Sequence, residues 1–163
     1  MKKISVIIPA HNEEKYIGKC LDSINSAKSN IDFPVEIIVA LNRCTDHTAD
    51  IAKSYQAITV QEDEKNIAKI RNTGVKASTG DILVTIDADS WMTPNMLQKV
   101  IGKLQSKKYI GGGVRIKPER MSLGIFFSLL MLVPLCLKRE SAAGCSGYIG
   151  GTLKPLADLM KVL

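Results

Sequence analysis

Two aspartates, Asp87 and Asp89, follow a largely apolar run over residues 81–86. A β-strand sends residues i and i+2 to the same side, so the end of this predicted strand presents both carboxylates together. Paired hard oxygen ligands suit Mg²⁺ or Mn²⁺, and such an ion also binds phosphate oxygens. In open α/β sheets, ligands bind at the carboxyl ends of the strands. The pair therefore predicts a divalent-metal site for a phosphate-bearing ligand. The simpler alternative is a turn that opens before Ser90.

Three more polar segments fall at predicted strand ends: residues 9–13 (PAHNE), 41–48 (LNRCTDHT) and 69–74 (KIRNTG). The first can direct backbone N–H groups at an anion or a base edge, and the second carries hydrogen-bonding groups for a base or a ribose. In the third, Arg71 offers a planar fork that matches phosphate. Each segment alone also fits an ordinary turn or a capped helix start.

The composition is that of one globular domain. Its 163 residues can bury a core without disulfides. A net charge of +6 suits a phosphate-bearing ligand or an anionic membrane surface, whereas scattered basic residues and few aromatics argue against nucleic acid. The four cysteines form no C-x-x-C pair, which argues against zinc. Without a secretory leader, we expect reduced thiols and a cytoplasmic protein.

Strand and helix signals alternate along the chain, which predicts βαβ units and a parallel sheet. The predicted strands are residues 4–8, 35–40, 57–60, 81–86 and 109–116. The predicted helix starts are Asn12, Thr45 or Asp46, Ile67 and Thr93. We expect Pro9 to stop the first strand, Gly80 to end the third helix, and Gly74 to let that helix pack closely on its neighbour.

Residues 123–137 are strongly apolar, and Pro134 interrupts them. Their length of about fifteen residues is short of the roughly 20 that a membrane-spanning helix needs. Two alternatives stay open: a packed helix, or an interfacial helix with Lys138 and Arg139 at the headgroup level. The second gives a peripheral membrane contact through residues 123–139, at the inner face of the membrane.

Together, the motifs resemble the family 2 glycosyltransferases, which have the GT-A fold and use a nucleotide-diphosphosugar donor. The matching stretches are residues 5–14 (SVIIPAHNEE), 44–48 (CTDHT), 70–75 (IRNTGV) and 80–89 (GDILVTIDAD). The resemblance implies an α/β fold of three layers, α/β/α, with a mostly parallel central sheet. It also implies transfer of a sugar, with inversion, to an acceptor hydroxyl on a carbohydrate or a lipid-linked molecule.

The same resemblance implies a role for each matching position. The nucleoside pocket would be lined by Pro9, Ala10, Asn12 and Glu13. The family usually binds the base through an acidic residue at the end of strand two, where this chain has Leu41 and Asn42, and only Asn42 can hydrogen-bond. Arg71 would lie near the base or the diphosphate. Asp87 and Asp89 would hold Mn²⁺ or Mg²⁺, with Asp89 assisting the leaving group through the metal.

Beyond these motifs, the family continues through a Gly-Gly-Phe-x-Glu segment to an acidic general base, and this chain has neither. Read in a shifted frame with permissible codons, the last sixteen residues (148–163) resemble the missing segment. One hypothesis takes residues 1–145 as a GT-A domain that is incomplete at its C-terminus and residues 146–163 as a frameshift product. The alternative is a natural short helix over 156–163. Because a general base contributes about 10²- to 10⁴-fold in rate, we expect at most weak transfer by this chain.

Three other functions stay open on the sequence alone. A nucleotidyltransferase also uses carboxylates and Mg²⁺, but such enzymes tend to have a Gly-rich phosphate loop where this chain has residues 9–13 without glycine. A non-catalytic module would bind the nucleotide sugar without transferring the sugar. In a plain interaction domain, the two aspartates of residues 87–89 would only form a turn.

Overall fold

The structure, a computed structural model, describes residues 3–106 and 111–113. The chain divides into two compact units, Met1–Gly102 and Lys103–Leu163, and the sheet lies in the first. The elements in chain order are β1 Ile4–Ala10, α1 Ile17–Lys28, β2 Val35–Leu41, α2 Thr48–Ser54, β3 Ile58–Gln61, α3 Ile67–Ala77, β4 Ile82–Thr85 and α4 Met96–Gln105. The four strands run parallel, which confirms the predicted α/β class.

The strands lie in the order β3-β2-β1-β4, so β1 is hydrogen-bonded on both sides. After β1 the chain adds β2 and β3 on one side and then returns to place β4 on the other. The order therefore reverses between β1 and β4, and open α/β sheets bind ligands in the crevice at such a point. Every residue of β1 is buried, as the central strand of a covered parallel sheet requires.

Strand β1 runs through Pro9 to Ala10, so the prediction that Pro9 stops this strand was wrong. Pairing on the β2 side continues, because Ala10 O accepts a hydrogen bond of 2.8 Å from Asn42 N. On the β4 side, Ile7 O accepts from Ile86 N at 3.1 Å. Backbone groups of alternate residues point to the same neighbour, so Pro9 faces the β4 side beyond that strand's end. Its missing N–H therefore costs no ladder hydrogen bond.

The predicted start of the first helix at Asn12 was also wrong. Helix α1 begins at Ile17, while Asn12 has a left-handed φ of 54° and its Oδ1 accepts a hydrogen bond of 2.8 Å from Thr45 N. Helix α3 begins at the predicted Ile67, whereas α2 begins at Thr48, after His47, and α4 begins at Met96, three residues after the predicted Thr93. The Asp46 carboxylate accepts the Thr48 N–H at 3.0 Å, and Asn66 caps α3 through its side chain. Residues that hydrogen-bond locally favour such positions.

Several predictions fall outside the residues that the structure describes. Of the strand predicted over 109–116, residues 111–113 are described and form neither helix nor strand. The apolar segment 123–139, the boundary at residue 145 and the tail 146–163 lie outside the described ranges. Within residues 3–106 and 111–113, no helix combines the length and apolarity needed to cross a membrane.

The close packing predicted at Gly74 is confirmed. A Cβ at this position of α3 would lie 2.5 Å from Ile7 Cγ2, in the centre of β1. Ile7 is 1% exposed, and its β-branched side chain has little rotamer freedom with which to retreat. The helix can therefore approach the sheet this closely only where it lacks a side chain.

We expect Gly74→Ala to lower the free energy of unfolding by about 1–3 kcal/mol, because overpacking displaces Ile7. Urea unfolding measures the change. The matched control is Gly102→Ala, since a Cβ there meets nothing within 4 Å and a helical Gly-to-Ala change is worth about 0.5–1 kcal/mol in favour of Ala. Equal stability of the two variants would contradict the packing argument.

A hydrogen-bonded carboxylate holds the opposite, amino-terminal edge of the sheet together. Glu36 of β2 accepts a hydrogen bond of 2.5 Å from Ser5 Oγ and one of 2.6 Å from Thr79 N, and its carboxylate lies 2.6 Å from Lys3 Nζ. Burial alone raises the pKa of Glu36, but the hydrogen bonds from Lys3, Ser5 and Thr79 outweigh it and lower the pKa to about 2. The ionised side chain thus joins β1, β2 and the turn before β4.

The lowered pKa makes stability depend on pH in a definite direction. The folded pKa of Glu36 lies below its ordinary value of 4.5, so its contribution is complete above that pH and is lost as the pH falls toward 2. We expect Glu36→Gln to remove this part of the acid sensitivity. Measured from pH 6 downward, unfolding free energies of the variant should fall less steeply than those of the wild type. Parallel curves would contradict the expectation.

Candidate functional site

A cleft of about 230 Å³ opens at the carboxyl edge of the sheet. It lies where the strand order reverses, between the segments that follow β1 and β4. The residues that line it are Pro9, Ala10, His11, Glu13, Ile67, Ile70, Asp87, Ala88 and Asp89. Five of the predicted site residues therefore meet in one cleft: Pro9, Ala10, Glu13, Asp87 and Asp89. The sequence separates the two segments, and the parallel pairing of β1 with β4 joins them.

The acidic wall of the cleft is the segment after β4. Ala88 is 3% exposed, whereas the side chains of Asp87 and Asp89 on either side of it are exposed. The backbone turns here, with Ser90 N donating to Asp87 O at 3.0 Å. Ser23 Oγ then accepts from Met92 N at 2.9 Å and ties the following residues to α1. The buried alanine between the two aspartates thus presents both carboxylates to the open side.

Beneath this turn, the Cys20 thiol of α1 donates a weak hydrogen bond of 3.8 Å to Asp87 O. Burial raises the pKa of Cys20 to about 12, and the nearby carboxylates of Asp89 and Asp87 raise it as well. The thiol is therefore neutral at physiological pH and serves as a donor rather than as a nucleophile.

Arg71 lies beside the acidic wall and pairs with one of its carboxylates. Its Nη2 donates to Asp87 Oδ1 at 2.8 Å, and the two side chains are 39% and 56% exposed. The Nε atom of Arg71 is buried and has no hydrogen-bond partner. The guanidinium thus keeps hydrogen-bonding capacity for a further acceptor.

Negative charge accumulates in the cleft. Burial raises the pKa of Glu13, and the carboxylates of Asp89 and Asp46 raise it further, while His11 acts in the opposite direction. The Glu13 and Asp89 carboxylates thus lie in one region of negative charge. A cation bound in the cleft would offset this negative charge.

The donor set of the cleft fits a divalent cation that shares its coordination with a phosphate. Asp87 and Asp89 supply hard oxygens, and no group of three or more His, Cys, Asp or Glu able to hold a metal occurs among residues 3–106 and 111–113. Mg²⁺ is commonly bound by one or two carboxylates together with substrate phosphates and water. The two aspartates are the residues that would hold the ion.

The cleft also has an apolar lining, half of which, Ile67 and Ile70, was not predicted as part of the site. It combines Pro9 and Ala10 with Ile67 and Ile70 of α3. Ile67 is 52% exposed, which is unusual for a large apolar side chain. Their spacing could have predicted that they lie together, because Ile67 and Ile70 are three residues apart at the start of α3 and therefore share one face of the helix.

His11 was another omission, although it lies inside the predicted segment 9–13. Its Nδ1 lies 2.5 Å from Asn42 O. A carbonyl oxygen can only accept, so Nδ1 carries the proton in the neutral ring and Nε2 is left as an acceptor. The side chain therefore adds one oriented polar group to the cleft.

Asn12, Asn42 and Arg71 do not line the cleft, although Arg71 reaches Asp87. Asn42 is 3% exposed, and its Nδ2 donates to the carbonyl oxygens of Glu62 and Glu64. Its amide therefore holds the segment between β3 and α3. The contacts predicted for Asn12, Asn42 and Arg71 with a nucleotide stay predictions.

Comparison with known proteins agrees with this architecture. The family described as glycosyl transferase family 2 matches residues 5–131. The glycosyltransferase GlyA of Streptococcus pneumoniae is 30% identical over 108 residues, which are 63% of this chain and 15% of that protein. The crystal structure of a TarS fragment from Staphylococcus aureus superposes with a TM-score of 0.58 at 27% identity, covering 73% of this chain and 39% of that one.

A second solved structure is the glucosyl-3-phosphoglycerate synthase of Mycobacterium tuberculosis, in complex with Mn²⁺, UDP and phosphoglyceric acid. It superposes with a TM-score of 0.54 at 29% identity, over 63% of this chain and 39% of that one. The chain thus spans less than half the length of each of these three relatives. The predicted GT-A fold is confirmed by the structural neighbours. From the family match over most of its length, the chain belongs to glycosyl transferase family 2.

Proposed function

We propose that this chain carries the donor site of a metal-dependent glycosyltransferase that moves a sugar from a nucleotide diphosphate to an acceptor hydroxyl. One observation carries the proposal: Asp87 and Asp89 lie together at the switch point of a parallel sheet, beside the cation Arg71. Binding a diphosphate requires positive charge that neutralises the oxygens of both phosphate groups. The two aspartates provide it through a metal, and Arg71 provides it directly.

The two walls of the cleft suit the two halves of a nucleotide. Pro9 and Ala10 with Ile67 and Ile70 offer apolar contact to the faces of a base. The acidic wall, Asp87 and Asp89, would take the metal and the diphosphate. When bound, the ion supplies charge that stabilises the leaving nucleoside diphosphate. Asp87 and Asp89 orient the ion, and Arg71 supplies a second positive charge to the phosphate oxygens.

Transfer then requires an acceptor hydroxyl on the far side of the sugar. Its oxygen forms a bond to the anomeric carbon as the bond from that carbon to the diphosphate oxygen breaks, and the hydroxyl proton passes to a base. Attack opposite the leaving group inverts the anomeric centre. The relatives support the class of reactants: TarS has been solved with UDP-GlcNAc, and the mycobacterial synthase with Mn²⁺ and UDP.

The acceptor class that we propose is a carbohydrate or a lipid-linked hydroxyl compound. The name of Staphylococcus aureus TarS, a poly(ribitol-phosphate) β-N-acetylglucosaminyltransferase, is consistent with a polymeric polyol acceptor in this family. We propose a cytoplasmic location at the inner membrane face, with residues 123–139 in contact with the bilayer surface. A net charge of +6 supports attraction to anionic lipid.

A thermal-shift panel tests donor binding. With Mn²⁺ present, UDP, GDP and their sugar conjugates are each added to the full chain, and EDTA replaces the metal in a parallel series. A nucleotide at about 100 times its Kd stabilises the fold by roughly 2.7 kcal/mol, so the midpoint should rise by several degrees with Mn²⁺ and not with EDTA. No metal-dependent shift with any nucleotide would refute the proposal.

The metal role assigned to Asp89 is tested by Asp89→Asn. The neutral amide is a weaker ligand for a hard cation, so Mn²⁺-dependent nucleotide binding should fall by at least about tenfold, as measured by calorimetry. Asp32→Asn is the matched control, because Asp32 is exposed in the segment before β2, at the opposite edge of the sheet. Equal binding by the two variants would exclude Asp89 as a metal ligand.

A further inference from the structure

The two aspartates of the cleft differ in their surroundings. Asp87 Oδ1 is bound by Arg71 Nη2 at 2.8 Å. Asp89 accepts a long hydrogen bond of 3.4 Å from Ser90 Oγ and pairs with no cation among the residues that the structure describes. A metal bound by both carboxylates would therefore meet Asp89, which has no cationic partner among the described residues, and Asp87, which is already paired with Arg71.

Not all hydrogen-bond donors of Arg71 are paired in this arrangement. It contacts Asp87 through a single nitrogen, although its fork can bind two oxygens side by side. Its Nε is buried without an acceptor, and an unpaired buried donor is unfavourable. Phosphate oxygens could occupy more of its donors than the one carboxylate oxygen does now.

The backbone around the ion pair has little freedom, so the side chains must make any change. Asp87 O accepts from Ser90 N and from the Cys20 thiol, and Ile86 N is bound to the central strand. On the other side, α3 is held against β1 at Gly74, one turn beyond Arg71. The Arg71–Asp87 contact can therefore break without disturbing either element.

We propose that Arg71 stands in for the metal on Asp87 in the free protein and transfers to the diphosphate when nucleotide and metal bind together. This inference rests on the proposed function and adds a positioning role to it. Before the nucleotide binds, the Arg71 guanidinium repels an incoming metal ion and competes with it for the Asp87 carboxylate. Once phosphate oxygens draw Arg71 away, both carboxylates face the metal. Each ligand thus strengthens binding of the other, as reciprocal linkage requires.

The test is a binding cycle that needs no turnover. Mn²⁺ binding to the full chain is measured from the free-ion resonance signal, without and with saturating UDP. In the wild type, UDP should tighten Mn²⁺ binding by at least about tenfold. In Arg71→Met, Mn²⁺ alone should bind at least about fivefold more tightly than in the wild type, and UDP should tighten Mn²⁺ binding less than it does in the wild type, because only the direct bonds between the metal and the diphosphate remain. Lys76→Met, an exposed residue of the same helix, should match the wild type.

A second variant keeps the inference testable if Arg71→Met does not fold. Asp87→Asn removes the partner of Arg71, so UDP without metal should bind at least about fivefold more tightly, while coupling to Mn²⁺ is lost. Wild-type coupling in Arg71→Met, or unchanged metal-free UDP binding in Asp87→Asn, would overturn the inference and leave the proposed function standing. If the wild type binds neither Mn²⁺ nor any nucleotide of the thermal-shift panel, the proposed function fails first, and this inference fails with it.

Discussion

The pairing of β1 with two parallel neighbours is the constraint on which the rest of the structure depends. Because β2 lies on one side and β4 on the other, the segments that leave β1 and β4 must separate at the carboxyl edge. A crevice forms there, and the backbone of Ile86, tied to Ile7, sets the position of the aspartates that follow. Helix α3 closes the crevice only because Gly74 lets it approach Ile7.

The two edges of the sheet differ in how far their carboxylates are paired with hydrogen-bond donors and cations. At the amino edge, Glu36 is surrounded by donors, so its charge is satisfied and stabilises the fold. At the carboxyl edge, burial and the nearby Asp89 carboxylate raise the pKa of Glu13, and Arg71 pairs with Asp87. Unsatisfied charge in a cleft is typical of a site that is completed by its ligands. Stability and binding are thus assigned to opposite edges of one sheet.

Local chemistry accounts for which predictions succeeded. The alternation of apolar runs and helical segments is a short-range property, so the parallel α/β order and the tight contact at Gly74 were accessible from the chain alone. Pro9 was misread because its effect depends on which neighbour its missing N–H would face. Asn12 was misread because its side chain bonds to Thr45, a residue far along the chain, rather than to its own helix.

The sequence by itself determined the class of the fold, the family, and the pair of carboxylates in the turn after β4, because these follow from residue types and spacing within short segments. Only the tertiary structure decided which residues share the cleft. It added Ile67, Ile70 and His11, committed the amide of Asn42 to the carbonyl oxygens of Glu62 and Glu64, and placed Arg71 on Asp87. The physical reason is that contacts between elements depend on strand order and packing distance, which no local pattern encodes.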